Sequence, residues 1–237
     1  MYKRLLNLSK KFVPVISQTE SIALNSGTIS VEQLFFKGIF NKKFLNNNYP
    51  YPKLLESSKP LHDSVQKLCD NIDDYSIYQN KKIPESVFDE INKNKLLGMI
   101  IPKEYGGLQL NHHEQSQVVQ KISTASSPVG VTVMVPNSLG PAELLLKYGT
   151  QEEKDQYLPK LSSGEFIPCF GLTGQSSGSD AASMLDSGVL IEEDGVKYIN
   201  LNISKRYITL APISNLIGIA FQLSDPNGYL EKGKFYK

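Results

Sequence analysis

Two cysteines and three histidines are spread through 237 residues, and that scarcity removes several kinds of chemistry at once. Cys69 and Cys169 are far apart and lie among apolar neighbours, which suits buried free thiols in a reducing compartment better than a disulfide. His62, His112 and His113 stand at no metal-ligand spacing with them, so a zinc or iron centre is not expected. Excess charge is missing too: 25 basic and 24 acidic residues give a formal net charge of +1. General nucleic-acid binding needs a strongly basic face, and no stripe of Arg, Lys and aromatic residues supplies one, so nucleic acid is excluded as a partner. No uninterrupted run of about eighteen apolar residues occurs, so no membrane-spanning helix is expected, and the start lacks the apolar core of a secretory signal. These absences point to a cytoplasmic protein.

The residues that are present, 40% hydrophobic and 21% charged, suit a globular chain long enough for one large domain or two small ones. Residues 1 to 16 interleave Lys3, Arg4, Lys10 and Lys11 with Leu5, Leu6, Leu8 and Phe12. That pattern reads either as a short basic helix peripheral to an anionic inner-membrane surface or as a frayed terminal helix with solvated lysines. From Gln18 to Lys59 periodicity is poor, and Tyr49-Pro50-Tyr51-Pro52 is barred from a helix interior, so residues 1–59 are taken as an irregular leader.

Residues 60–163 read as a helical domain. Leu61, Val65, Leu68, Cys69, Ile72 and Tyr75 share one face of a first helix, and Pro84 opens a second that carries Val87, Phe88 and Ile91 inward. The apolar run at 96–107 is expected as a buried turn, followed by helices over 112–126 and 128–148. Gly149 fits a helix end, and Thr150 with Glu153 forms a capping box for a short helix closing at Tyr157-Leu158-Pro159. After Gly164 the hydrophobic period drops to two. Strands are expected at 166–172, 187–193, 196–203, 205–211 and 215–223, with Asp194-Gly195 as a two-residue hairpin turn. The fold class is therefore α+β, with helices followed by an incomplete antiparallel β-domain over 164–237. No GxGxxG lies between a strand and a helix, so a Rossmann nucleotide site is unsupported.

Phe166–Asp180 carries the chemistry. A strand-length apolar run passes into Thr173, Gly174, Gln175, Ser176, Ser177, Gly178, Ser179 and Asp180. Without a Cβ, glycine lets a bound group approach the backbone, and Ser and Thr hydroxyls both donate and accept. Such a loop suits a phosphate or a flavin edge, and the same composition also makes an ordinary polar turn between strands.

GLTGQSSGSDAASM (171–184) resembles the flavin-binding signature of the acyl-CoA dehydrogenases. Three further stretches match in order: IPKEYGGL (101–108), KYGTQEEKDQYLPKLSSGE (147–165) and SKRYITLAP (204–212). VMVPNSLGPAELL (133–145) and the leader are similar to the long bacterial fatty-acid-oxidising branch. The resemblance implies an N-terminal helical domain packed on a middle β-domain, with FAD between that β-domain and a C-terminal helical domain. It implies that Phe170, Leu172 and Thr173 place backbone groups and a hydroxyl along the flavin ring, and that Ser179 meets both the FAD pyrophosphate and the pantetheine of the acyl-CoA. Tyr207, Ile208 and Thr209 then match the segment in which an aromatic ring covers the flavin and a Thr hydroxyl reaches its reactive nitrogen.

Two departures stand out. Gly174-Gln175-Ser176-Ser177 replaces the family's usual Glu-Pro-Gly-Ala, and loss of the proline leaves the unbound loop more conformational freedom. The family's catalytic Glu comes from the C-terminal domain, so no catalytic residue is assigned here; Glu104, Glu143, Glu152 and Glu153 read as surface or capping residues. The resemblance thus implies α,β-dehydrogenation of fatty acyl-CoA to the trans-2-enoyl-CoA by a protein of which this is the N-terminal part. It would need a separately supplied C-terminal domain or a homo-oligomer, and would pass electrons to an electron-transfer flavoprotein. The alternatives are an inactive truncated remnant, a module binding FAD or acyl-CoA, and a peripheral membrane adaptor resting on residues 1–16.

Overall fold

The computed structural model describes residues 2–10, 12, 16–27, 32–38, 43 and 59–230. The expected Pro-rich irregular stretch at Tyr49–Pro52 and the final segment EKGKFYK lie outside the described residues. Where the leader is described it is more regular than expected. Helices α1 (Tyr2–Ser9), α2 (Gln18–Ser26) and α3 (Glu32–Phe36) form. The second has its own start signal: Ser17 Oγ accepts the Glu20 N–H at 3.2 Å while Glu20 Oε2 accepts the Ser17 N–H at 2.8 Å. Lys3, Leu5 and Phe12 are exposed.

The helical part runs α4 (Lys59–Asn71), α5 (Asp74–Asn80), α6 (Glu85–Lys93), α7 (His112–Ala125), α8 (Ser127–Met134), α9 (Pro141–Tyr148) and α10 (Gln151–Ser163). The first expected helix is two. Asp73 takes the Ser76 N–H at 3.0 Å and starts a new helix, and Tyr75, expected inward, is 73% exposed. The expected helix over 128–148 also breaks, because Pro136 ends α8 in a 3₁₀ turn at Val135–Asn137 and Gly140-Pro141 begins α9 afresh. Ser127–Tyr148 is the one stretch among the described residues long and apolar enough to cross a membrane. It is interrupted, and Val129, Val133 and Ala142 are buried in the protein's own core. The last helix is longer than expected: it continues through Pro159 to Ser163, losing the hydrogen bond to the Asp155 carbonyl but keeping Leu158 and Leu161 in the core. Gly164, at φ 82°, ends it in the left-handed conformation that glycine adopts freely.

Two hydrophobic clusters hold these elements. The larger joins Val65, Leu68, Ile91, Leu97, Val118 and Ile122, among others, and each such side chain contributes roughly 1.5–3 kcal/mol relative to exposure. The smaller, Ile101, Ala142, Leu158 and Leu161, is flanked by Phe166 and Leu216 and so ties helices to strands. Asn137 fastens the broken helix to the 96–100 turn: its Nδ2 donates to the carbonyls of Leu96 and Val133 at 2.6 and 2.8 Å, and its Oδ1 accepts the Ile100 N–H at 3.2 Å. At Gly98 a Cβ would stand 2.7 Å from the Ser162 Cα, so only glycine admits this approach of turn and α10.

The strands are β1 (Pro168–Gly171), β2 (Ser187–Glu193), β3 (Val196–Asn202), β4 (Leu216–Ile219) and β5 (Gln222–Ser224). The β2–β3 hairpin is antiparallel and turns at Asp194-Gly195, with φ of 52° and 78°, as the sequence requires. Among the described residues the other two pairings, β1 with β4 and β2 with β5, are parallel, so the two-stranded sheet β1–β4 is parallel and the three-stranded sheet β3–β2–β5 is mixed, where an antiparallel region was expected. Residues 205–211, expected as a strand, contribute only the Gly174–Lys205 bridge before the backbone reverses at Tyr207 (φ 58°) and Leu210 (φ 68°). The 215–223 strand is split, with Ala220 and Phe221 carrying the chain from one sheet to the other.

Candidate functional site

Where β1 ends, the chain enters the small-residue loop, and the segment before Tyr207 lies alongside it. Thr173 accepts the Arg206 N–H at 3.2 Å through its carbonyl, Gly174 bridges Lys205, and Arg206 Nη2 donates to the Gln175 carbonyl at 2.7 Å. Residues 172–175 and 204–206 are thereby zipped together. Lys205 Nζ donates to the Leu172 carbonyl at 3.0 Å and to Asp186 Oδ2 at 2.8 Å, while Asp186 Oδ1 accepts the Ser204 N–H at 2.7 Å. The Lys205 and Asp186 side chains are only 10% and 6% exposed. The Lys205 ammonium and the Ser204 N–H hold the Asp186 carboxyl below its ordinary value, against the opposing effect of burial.

Around this junction the sequence-expected residues fall into place unevenly. Thr173 is half-buried at the zipped edge, and Tyr207, Ile208 and Thr209 leave it directly; Tyr207 is 83% exposed, its ring 5.2 Å from the Arg206 guanidinium carbon. The Leu172 carbonyl is engaged by Lys205. Phe170 is set apart: it lines an apolar cleft of about 330 Å³ with Leu144, Leu145, Tyr148, Ile217 and Ile219, between α9 and the β1–β4 pair. Ser179 is exposed, beyond the buried Ser177 and before the turn at Ala181–Ser183.

The loop fits a polar ligand edge in two respects, an unpartnered buried hydroxyl and a polar hollow beside it. Ser177 Oγ is buried without a hydrogen-bond partner in the structure, an uncommon state for a hydroxyl. At Gly174 a Cβ would stand 2.6 Å from Asp186 Oδ2, so glycine there lets the loop pack directly against the Asp186 carboxylate. Beside the loop a polar hollow of about 220 Å³ is lined by Gln175, Ser176, Leu185, Asp186, Asn202 and Ser204. Asp186 and the part played by Lys205 were not expected from the sequence. Lys205 sits inside the SKRYITLAP motif, whereas nothing in the surrounding sequence marks Asp186. No group of three or more His, Cys, Asp or Glu side chains among the described residues is arranged to hold a metal.

Residues 56–165, which hold the helical part and its two clusters, match the family model of the acyl-CoA dehydrogenase N-terminal domain. This region belongs to the acyl-CoA dehydrogenase family. Similarity to acyl-CoA dehydrogenases extends past it. A mitochondrial very long-chain specific acyl-CoA dehydrogenase from Macaca fascicularis is 29% identical over 209 residues, which is 86% of this chain and 29% of the relative. The 3-(aryl)acrylate reductase of Clostridium sporogenes is 34% identical over 161 residues, 68% of this chain and 40% of the relative. A glutaryl-CoA dehydrogenase from Mycobacterium smegmatis, solved with FADH2, superposes with a TM-score of 0.62 at 21% identity, covering 78% of this chain and 45% of the other. That likeness shows the fold: helices leading into a small β region as in the acyl-CoA dehydrogenases. The chain spans less than half the length of each of these relatives.

Proposed function

We propose that this chain forms one wall of the flavin and substrate site of an FAD-dependent acyl-CoA dehydrogenase acting on fatty acyl-CoA. The observation that carries the reading is the zipped junction, which brings Thr173 and Tyr207–Thr209 to adjoining positions on two segments that are remote in sequence. When bound, FAD supplies the acceptor for the hydride that leaves Cβ of the acyl thioester. On this side of it, Thr173 would supply a backbone edge and a hydroxyl, Thr209 a second hydroxyl, Tyr207 an aromatic cover and Ser179 the contact with phosphate and pantetheine, while Phe170 lies apart in the apolar cleft and the Leu172 carbonyl is taken by Lys205. The exposure of the Tyr207 ring beside Arg206 supports that role, since a free aromatic face can pack on a planar ligand and exclude water from it.

The carboxylate that removes the α-proton is assigned outside these residues. Glu104, Glu143 and Glu152 are exposed on helical turns, and Glu153 holds the Thr150 N–H at 2.7 Å as part of a cap. Delivery of electrons to an electron-transfer flavoprotein belongs to the same reading. The test is to express the chain together with the sequence downstream of Lys237, then to measure bound flavin by visible absorption and enoyl-CoA formation from a long-chain acyl-CoA. Bound flavin with turnover is expected. Neither flavin nor turnover in the joint product overturns the reading.

A further inference from the structure

We infer that Asp186 and Lys205 are a buried positioning pair that sets the orientation of both flavin-facing segments; the inference rests on the flavin reading above. A trans peptide is planar, so holding one polar atom fixes the plane and the direction of its neighbour. Lys205 Nζ holds the Leu172 carbonyl at 3.0 Å and so fixes the peptide that carries the Thr173 N–H. The Arg206 N–H holds the Thr173 carbonyl at 3.2 Å and fixes the next peptide. Thr173 therefore sits between two clamped planes. Across the junction, Asp186 holds the Ser204 N–H at 2.7 Å, and Lys205 is held by Asp186 at 2.8 Å. Tyr207 to Thr209 thus leave a fixed base. Asp186 comes from a third segment, just before β2, and one carboxylate serves both walls.

Stability alone is a poor reason for this arrangement. Removing both charges from water is costly, and an apolar pair of similar volume commonly stabilises a fold as well or better. What an apolar pair lacks is direction: it cannot hold the Leu172 carbonyl or the Ser204 N–H at a set angle.

The test uses the chain expressed as above, with Asp186→Asn, Lys205→Met, the conservative Lys205→Arg and the apolar double replacement D186L/K205M. FAD affinity, the visible circular dichroism of bound FAD, thermal melting and hydrogen exchange at Thr173, Gly174 and Tyr207–Thr209 are measured. Asp186→Asn and Lys205→Met are expected to weaken FAD binding by about tenfold or more, change the flavin dichroism and speed exchange at those amides. Lys205→Arg recovers part of the affinity. The double replacement melts at or above the single variants yet leaves FAD binding weak. Wild-type FAD affinity and dichroism in the double replacement would overturn the inference and leave a merely structural pair. Failure of the unaltered protein to bind FAD overturns the flavin reading instead, and unchanged exchange at the five amides in both single variants then overturns the clamp separately.

Discussion

Asp186 binds a proton less readily in the folded chain than in the unfolded one, because the Lys205 ammonium and the Ser204 N–H favour its charged form. The unfolded chain therefore takes up more protons as the solution is acidified. The stabilising contribution is complete above the unfolded carboxylate range, near about 3.9, and is lost as pH falls through the lower folded value. Melting followed from neutral pH down to about pH 3 should show the unaltered protein losing more stability than Asp186→Asn, the two curves running parallel at neutral pH. Tyr207 makes a second prediction. Its φ of 58° is costly for a side chain with a Cβ, about 1–2 kcal/mol, so Tyr207→Gly relieves strain while loosening the unfolded chain by about 0.5–1 kcal/mol. Melting should change little, whereas FAD affinity should fall. Strain kept at an exposed aromatic residue is what a binding position looks like when stability does not set its conformation.

Among the elements, those whose signal is local were legible in the sequence. The Thr150–Glu153 box forms as expected, with Glu153 N–H to Thr150 Oγ1 at 3.2 Å, and so does the Asp194-Gly195 hairpin. Elements decided by distant partners were not. Pro159 marks a helix end by propensity, yet burial of Leu158 and Leu161 carries α10 past it. The run at 205–211 alternates like a strand, but the side-chain bonds of Lys205 and Arg206 pull it against the loop, and no ladder forms beyond one bridge. The candidate site divides in the same way: Thr173 and Tyr207–Thr209 lie in readable motifs, while Asp186 is known only through what it touches. Asn137→Ala leaves buried carbonyls of Leu96 and Val133 and the Ile100 N–H without their partner, and should lower unfolding free energy by about 2–4 kcal/mol in urea titration. Thr150→Ala removes only a cap and should cost about 1 kcal/mol by the same measurement.

For the molecule as a whole, the β1–β4 pairing has a consequence in time. Pro168 meets Leu216 across nearly fifty residues of chain, and the β2–β3 hairpin lies inside that loop. The hairpin can close within microseconds from contacts adjacent in sequence, but the parallel pair must first bear the entropy of closing the long loop. Local helices and the hairpin should therefore gain hydrogen-exchange protection early in refolding, and Cys169, Phe170, Ile217 and Ile219 late. The Gly174–Lys205 bridge closes a shorter loop nested inside that one, so the segments at Thr173 and Lys205 can meet before β1 and β4 pair. During synthesis the helices and the hairpin would therefore be in place while β1 still waits for the strand at Leu216–Ile219 to emerge and pair with it.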